Sequence, residues 1–175
     1  MTHSAHPHPD LTNLSLNCGV ITVSDTRTPQ TDKSGQIIQQ LLREATHNIQ
    51  DYQIVKDEPI EITQTVTELC QRGEVDVIIL NGGTGIAPRD TTYDSIERLL
   101  EKTLPGFGEI FRSLSYQEIG SRAIASRAIA GVFQGKLIFS LPGSSNGVRL
   151  AMTALILPEL THLISQLNPS ISTVK

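Results

Sequence analysis

Apolar positions along the chain switch repeatedly between two periods. Cys18-Gly19-Val20-Ile21-Thr22-Val23 is a β-branched run suited to a buried strand. After the polar turn Ser24 to Pro29, residues Ile37, Ile38, Leu41, Leu42 and Ala45 recur at helical spacing, with Gly35 in the first turn. Tyr52 to Lys56 predicts a short second strand, ended by Asp57-Glu58-Pro59. Ile62, Val66, Leu69 and Cys70 mark the apolar face of the next helix, and Gly73 stands where a helix C-terminal glycine belongs. Val75 to Leu80 is a third strand, continuous enough in apolar character to be buried on both sides. A glycine-rich loop follows, then a helix that turns Tyr93, Ile96, Leu99 and Leu100 inwards.

The second half repeats the alternation. Pro105-Gly106-Phe107-Gly108-Glu109 interrupts the pattern, and Phe107, Ile110, Phe111 and Leu114 resume it up to Gly120. Ser126 to Phe133 and Lys136 to Leu141 read as two strands of a hairpin turning at Gln134-Gly135. Pro142-Gly143-Ser144-Ser145 is another small-residue loop, whose serines can cap a helix carrying Val148, Met152 and Leu155. Pro158 suits the first residue of a last helix, with Leu160, Leu163, Ile164 and Leu167 facing in. Strands alternating with helices predict an α/β fold with a mostly parallel sheet and helices on both faces. The expected division is a flexible N-terminal tail over residues 1–17, one domain over 18–167 and a C-terminal tail over 168–175.

Composition narrows the classes. With 175 residues and 38% hydrophobic content, the chain suits one globular domain with a real core. A net charge of −4 argues against a general nucleic-acid binder. No stretch approaches the roughly 20 apolar residues of a membrane helix, and the N-terminus lacks a secretory pattern, so a cytoplasmic location is expected by default. Cys18 and Cys70 each sit in an apolar segment and read as core residues of a reducing compartment. His3, His6 and His8 in the N-terminal tail read as a solvated arm rather than a metal site.

The chemistry lies at the strand exits. In an open α/β sheet, ligands collect outside the carboxyl ends of the strands. Ser24-Asp25, Asp57-Glu58, Gly82-Gly83-Thr84-Gly85 with Asp90, and Pro142-Gly143-Ser144 all fall there. Glycines before a helix leave backbone N–H groups accessible to an anion such as phosphate. A carboxylate beside such a cradle suits a bridging cation, magnesium being the usual choice. Gly85 is followed by Ile86, so the loop is no P-loop. Pro88 occupies the sixth place of a dinucleotide fingerprint read from Gly83, so that match fails too. His47 and His162 fall on helices away from the loops, which leaves a serine nucleophile without a base. Asp57 and Asp90 are the acids that stand out. Spacing alone serves equally for a metal-binding pair and for two caps of the helices that follow them. Asp25 reads as an ordinary turn acid.

Ile21-Thr22-Val23-Ser24-Asp25, Gly82-Gly83-Thr84-Gly85 with Asp90, Pro105-Gly106-Phe107-Gly108-Glu109, Ser126-Arg127-Ala128 and Leu141-Pro142-Gly143-Ser144 occur in this order. Together they closely resemble the molybdenum cofactor biosynthesis proteins of the MoaB/Mog family, over about Gly19 to Leu167. The segment from Phe111-Arg112 through Gly120 to Ala128 is more similar to the MoaB branch. The resemblance implies a three-layer α/β/α fold, a homo-trimer or homo-hexamer, and binding of molybdopterin. It implies adenylylation of the molybdopterin phosphate by magnesium-ATP with release of pyrophosphate, and contact with a metal-insertion protein that uses the product. By the same resemblance, Asp57 and Asp90 match the family's catalytic and magnesium positions. Ser24, Asp25, Gly82, Gly83, Thr84, Gly85, Glu109, Pro142, Gly143, Ser144 and Ser145 match parts of its substrate cleft. A carrier that holds molybdopterin without adenylylating it, or an assembly subunit exposing Phe107, Phe111 and Tyr116, are the alternatives.

Overall fold

The computed structural model describes residues 14–168. The elements are β1 (Asn17–Val23), α1 (Lys33–Glu44), β2 (Asn48–Val55), α2 (Pro59–Arg72), β3 (Val77–Asn81) and α3 (Thr92–Leu99). They continue with β4 (Lys102–Thr103), α4 (Pro105–Ile119), a 3-10 turn (Gly120–Ala125), β5 (Ile129–Phe133) and β6 (Lys136–Leu141). The last run is α5 (Ser145–Ala151), a π-helical turn (Met152–Ile156) and α6 (Leu157–Leu167).

The strands form one six-stranded sheet in the order β2-β1-β3-β6-β5-β4. β2, β1, β3 and β6 run parallel, while β5 is antiparallel to both of its neighbours. This is the α/β fold with a mostly parallel sheet that the sequence predicts. Successive side chains of a strand point to opposite faces, so the central strands supply two cores. Cys18, Val20, Val77, Ile79, Leu137 and Phe139 meet α1, α4, α5 and α6 on one face. Ile21, Val23, Ile78, Leu80 and Ile138 meet α2 and α3 on the other. β1 is buried after its first residue and β3 throughout, which is why both read as unbroken apolar runs. Both cysteines are free and buried, and burial pushes the Cys18 thiol up to about 12 and that of Cys70 to about 11.

Local signals hold at several ends. Gly73 closes α2 with φ 72°. Gln134 and Gly135 both take positive φ, 47° and 72°, the signature of a type I′ hairpin between β5 and β6. Ser144 caps α5 by accepting the Gly147 N–H.

Other boundaries differ from the sequence expectation. Leu16, assigned to the N-terminal tail, is only 2% exposed, and β1 starts at Asn17. His3, His6 and His8 lie outside the described residues, as does the C-terminal tail after Asn168. β4 is two residues long, too short for any periodic signal. Ser126 to Ala128 are not strand, because the Ser126 N–H turns back to the Ala123 carbonyl and pairing begins only at Ile129. Pro105 does not break the pattern but starts α4, where its missing N–H costs nothing. Gly108 follows in that first turn because a Cβ would stand 2.7 Å from the Ala128 carbonyl oxygen. Pro158 does not open a separate helix. The chain stays helical from Ser145 to Leu167, 23 residues, with the π-helical turn just before the proline. By length and composition alone this helix could cross a membrane, contrary to the sequence reading. Its Val148, Ala151, Met152, Ile156, Leu160 and Ile164 are instead buried against the sheet.

Candidate active site

The strand order places β1 between β2 and β3, with α1 and α2 on opposite faces. The chain therefore reverses its winding between β1 and β3, the position at which such sheets open a crevice at their carboxyl edge. Register brings four exits to that edge together: Val23 lies beside Val55, Thr22 beside Asn81, and Asn81 beside Leu141. The loops are then tied to one another. The Ser24 N–H donates to the Val55 carbonyl at 2.8 Å, and the Gly82 N–H to the Leu141 carbonyl at 3.0 Å. The Asp57 N–H donates to Asp25 Oδ1 at 3.2 Å.

The glycine loop fits only glycine at two positions. Gly82 has φ 110°, and a Cβ there would overlap the Val23 carbonyl oxygen. Gly83 has φ 57°, and a Cβ would overlap the Asp57 carboxylate and the Thr92 hydroxyl. Asp57 is 6% exposed. Its Oδ1 accepts the Thr91 N–H at 3.0 Å, the Thr91 hydroxyl at 2.7 Å and the Thr92 hydroxyl at 3.3 Å. Asp57 thus anchors the start of α3, not that of α2, which follows it in sequence. Its Oδ2 accepts no hydrogen bond among the described residues and lies against Gly83. Asp90 is half-buried, and its Oδ2 accepts the Ala87 N–H at 3.1 Å, closing the loop. Neither acid caps the helix that follows it.

Among the described residues no three His, Cys, Asp or Glu side chains gather into a metal-binding group. Asp57 and Asp90 each retain a carboxylate oxygen that accepts no hydrogen bond there. Two hard oxygen donors fit magnesium, which takes most of its ligands from water and substrate phosphate.

The remaining candidate residues divide. Ser24 Oγ accepts the N–H groups of Thr26 and Arg27 and so shapes its own turn. Asp25 is exposed and held by Arg89, whose Nε and Nη2 reach its two oxygens at 2.9 and 3.2 Å. The Arg89 guanidinium beside Asp25 holds that carboxyl below the usual range. Arg89 Nη1 also meets Glu58 Oε1 at 2.6 Å, so one side chain bridges three loops. Gly143 offers its carbonyl to Arg27 Nη2 at 2.8 Å. Pro142 and Ser144 line a cavity of about 80 Å³ with Phe111, Ser115 and Glu118. Ser145 begins α5. Glu109 lines a cavity of about 240 Å³ with Tyr93, Glu97, Leu104 and Arg112. His47 is buried before β2, at the opposite edge of the sheet, where its Nδ1 accepts the Leu16 N–H at 3.3 Å.

Sequence reasoning assigns no role to Arg27, Arg89, Arg127 or Asp32. Arg89 adjoins Asp90 in a glycine-bearing loop, which is a usable signal. Asp32 caps α1 by accepting the Gly35 N–H three residues on, a local signal as well, whereas the partners of Arg27 and Arg127 at Gly143 and Thr84 lie 116 and 43 residues away.

Residues 19–162 match a family described as a probable molybdopterin binding domain. Molybdenum cofactor biosynthesis protein B of Bacillus subtilis (strain 168) is 55% identical over 154 residues, covering 87% of this chain and 91% of that protein. A crystal structure of molybdenum cofactor biosynthesis protein B superposes with TM-score 0.87 at 50% identity, over 89% of this chain and 98% of that one. The tungsten cofactor synthesizing protein MoaB from Pyrococcus furiosus gives TM-score 0.79 at 38% identity, over 87% and 96%.

Proposed function

Because the chain belongs to the molybdopterin-binding-domain family of molybdenum cofactor biosynthesis proteins, we propose that it binds molybdopterin at the carboxyl edge of its sheet and adenylylates the pterin's terminal phosphate with magnesium-ATP. In that reaction a phosphate oxygen of molybdopterin bonds to the α-phosphorus of ATP. The bond from that phosphorus to the bridging oxygen of the β-phosphate breaks, and pyrophosphate leaves. Asp57 and Asp90 would hold magnesium, which would supply charge neutralisation for the two anionic substrates.

The observation that carries the reading is the glycine loop. The N–H groups of Gly83, Thr84, Gly85 and Ile86 donate to no acceptor among the described residues. Beside them stand two carboxylates with an oxygen to spare. Backbone donors next to a metal-capable acid pair suit a phosphoryl group in transfer. The nucleophile is an ionised phosphate, so the chemistry needs no histidine base, in keeping with the distance of His47 from this edge. Incubation of the protein with magnesium, ATP and molybdopterin is expected to give adenylylated pterin and pyrophosphate in equal amounts. No product above the protein-free control overturns the reading.

The threefold bonding of Asp57 Oδ1 to the start of α3 favours a second reading, a carrier in which Asp57 is structural. That reading predicts pterin binding with no product. Ile110, Tyr116, Ile119 and Ile124 are 52%, 64%, 50% and 87% exposed on α4 and the turn after it, whereas Phe111 is buried and Phe107 packs edge-on to Phe139. An apolar surface of this kind supports assembly into a homo-trimer or homo-hexamer, and the adenylylated product would pass to a metal-insertion protein.

A further inference from the structure

Arg127 stands outside the acid pair, and most of its donors are committed. Its Nε donates to the Thr84 carbonyl at 2.9 Å and its Nη2 to the Gly85 carbonyl at 2.7 Å. Its Nη1 and Nη2 also meet the Asp94 carboxylate at 3.0 and 3.2 Å, and the guanidinium lies 4.5 Å over the Tyr93 ring. Four donor contacts therefore fix one plane against two successive loop carbonyls.

No peptide bond among the described residues is cis. In a trans peptide the C=O and the N–H of one unit point in opposite directions. Holding the Thr84 and Gly85 carbonyls on the Arg127 side therefore turns the Gly85 and Ile86 N–H groups away from it. Those two N–H groups find no acceptor among the described residues. We infer that Arg127 is the positioning residue of the anion cradle: it clamps the loop from behind so that successive N–H groups are presented to a phosphoryl group. The inference rests on the reading of this loop as a phosphate site. Lysine cannot replace the clamp, because a single ammonium lacks the planar fork that reaches two carbonyls and a carboxylate together.

The test uses the full chain, with pyrophosphate in excess magnesium as the probe. Wild-type protein is expected to bind it, with the Gly85 and Ile86 amide proton resonances moving downfield on saturation. Arg127→Lys keeps the charge and loses the fork. It is expected to bind about tenfold more weakly and to lose the shift of those two amides. Asp94→Asn leaves the guanidinium but removes its orienting carboxylate, and about threefold weakening is expected. This variant decides the matter if Arg127→Lys does not fold. Unchanged affinity and unchanged amide shifts in the folded variants overturn the positioning role while leaving the phosphate site standing. Failure of the wild type to bind the probe overturns the phosphate site itself, and the inference falls with it.

Discussion

Asp32 and Asp57 are both buried acids at the carboxyl edge of the sheet, 0% and 6% exposed. Asp32 is bonded on both oxygens. Its Oδ2 accepts the Thr22 hydroxyl at 2.5 Å and the Tyr52 hydroxyl at 2.7 Å. Its Oδ1 accepts the Gly35 N–H at 3.0 Å and Arg27 Nη1 at 3.3 Å. Burial pushes the Asp32 carboxyl up, but the hydroxyls of Thr22 and Tyr52, the Gly35 N–H and the Arg27 charge outweigh it and leave it below the ordinary range. The Tyr52 phenol is raised in turn, first by burial and then by Asp32. Among the described residues Asp57 is bonded on one oxygen only, and the other faces the glycine loop. A buried acid with every lone-pair direction occupied is a structural joint. One with an oxygen to spare, beside unpaired N–H groups, can serve a ligand.

The widest separation of the two comes from removing each in turn. Asp32→Ala removes the acceptor of the buried Thr22 hydroxyl, the half-buried Tyr52 hydroxyl and the Gly35 N–H, while part-exposed Arg27 keeps Ser34 and the Gly143 carbonyl. It is expected to lower unfolding free energy by about 2–3 kcal/mol. Chemical denaturation measures this, and a loss below about 1 kcal/mol would show that the joint is dispensable. Asp57→Asn keeps an acceptor for Thr91 and Thr92 but loses the charge. Adenylyl transfer is expected to fall about 10²-fold, with a stability loss of only about 1 kcal/mol. Equal transfer in the variant and the wild type would make Asp57 a second Asp32.

Acid titration sharpens the contrast further. The folded Asp32 carboxyl lies below its unfolded value of about 4. Its contribution to stability is therefore fully present above about pH 4 and is lost as pH falls through the folded value. Asp32→Asn should flatten this part of the stability profile measured from about pH 6 to about pH 2. An unchanged slope would place the titrating group elsewhere. The smallest effect concerns the neighbouring exit. Ser144 serves the start of its own helix, unlike the glycine loop. Ser144→Ala is expected to cost about 1 kcal/mol in thermal unfolding and to leave pyrophosphate affinity unchanged. A large loss of that affinity would move Ser144 into the phosphate site.

The sheet was largely legible in the sequence because its signals are local. Unbroken apolar runs mark β1 and β3, Gly73 ends α2, and Gln134-Gly135 turns the hairpin. The clustering of four loops at one edge followed from strand alternation and parallel order. What was hidden depends on contacts between distant residues. Asp57 anchors a helix 34 residues ahead, and Arg127 grips carbonyls 42 and 43 residues behind it. Leu16 looked like tail because the register that buries it is set by β2, whose Asn48 N–H bonds the Leu16 carbonyl at 2.8 Å. Glu109 entered with the motif that contains it, and α4 places it in a cavity shared with Tyr93 and Glu97 of α3.

Asp90 gives the most direct test, because among the described residues its side chain is tied to the fold only through the Ala87 N–H. Molybdopterin-loaded wild type and Asp90→Asn, given magnesium-ATP, are compared for adenylylated pterin formed in one turnover. The wild type should form product, and Asp90→Asn should keep its pterin but form product at least about 10²-fold more slowly. Equal rates would contradict the assignment of adenylyl transfer to the acid pair at the glycine loop.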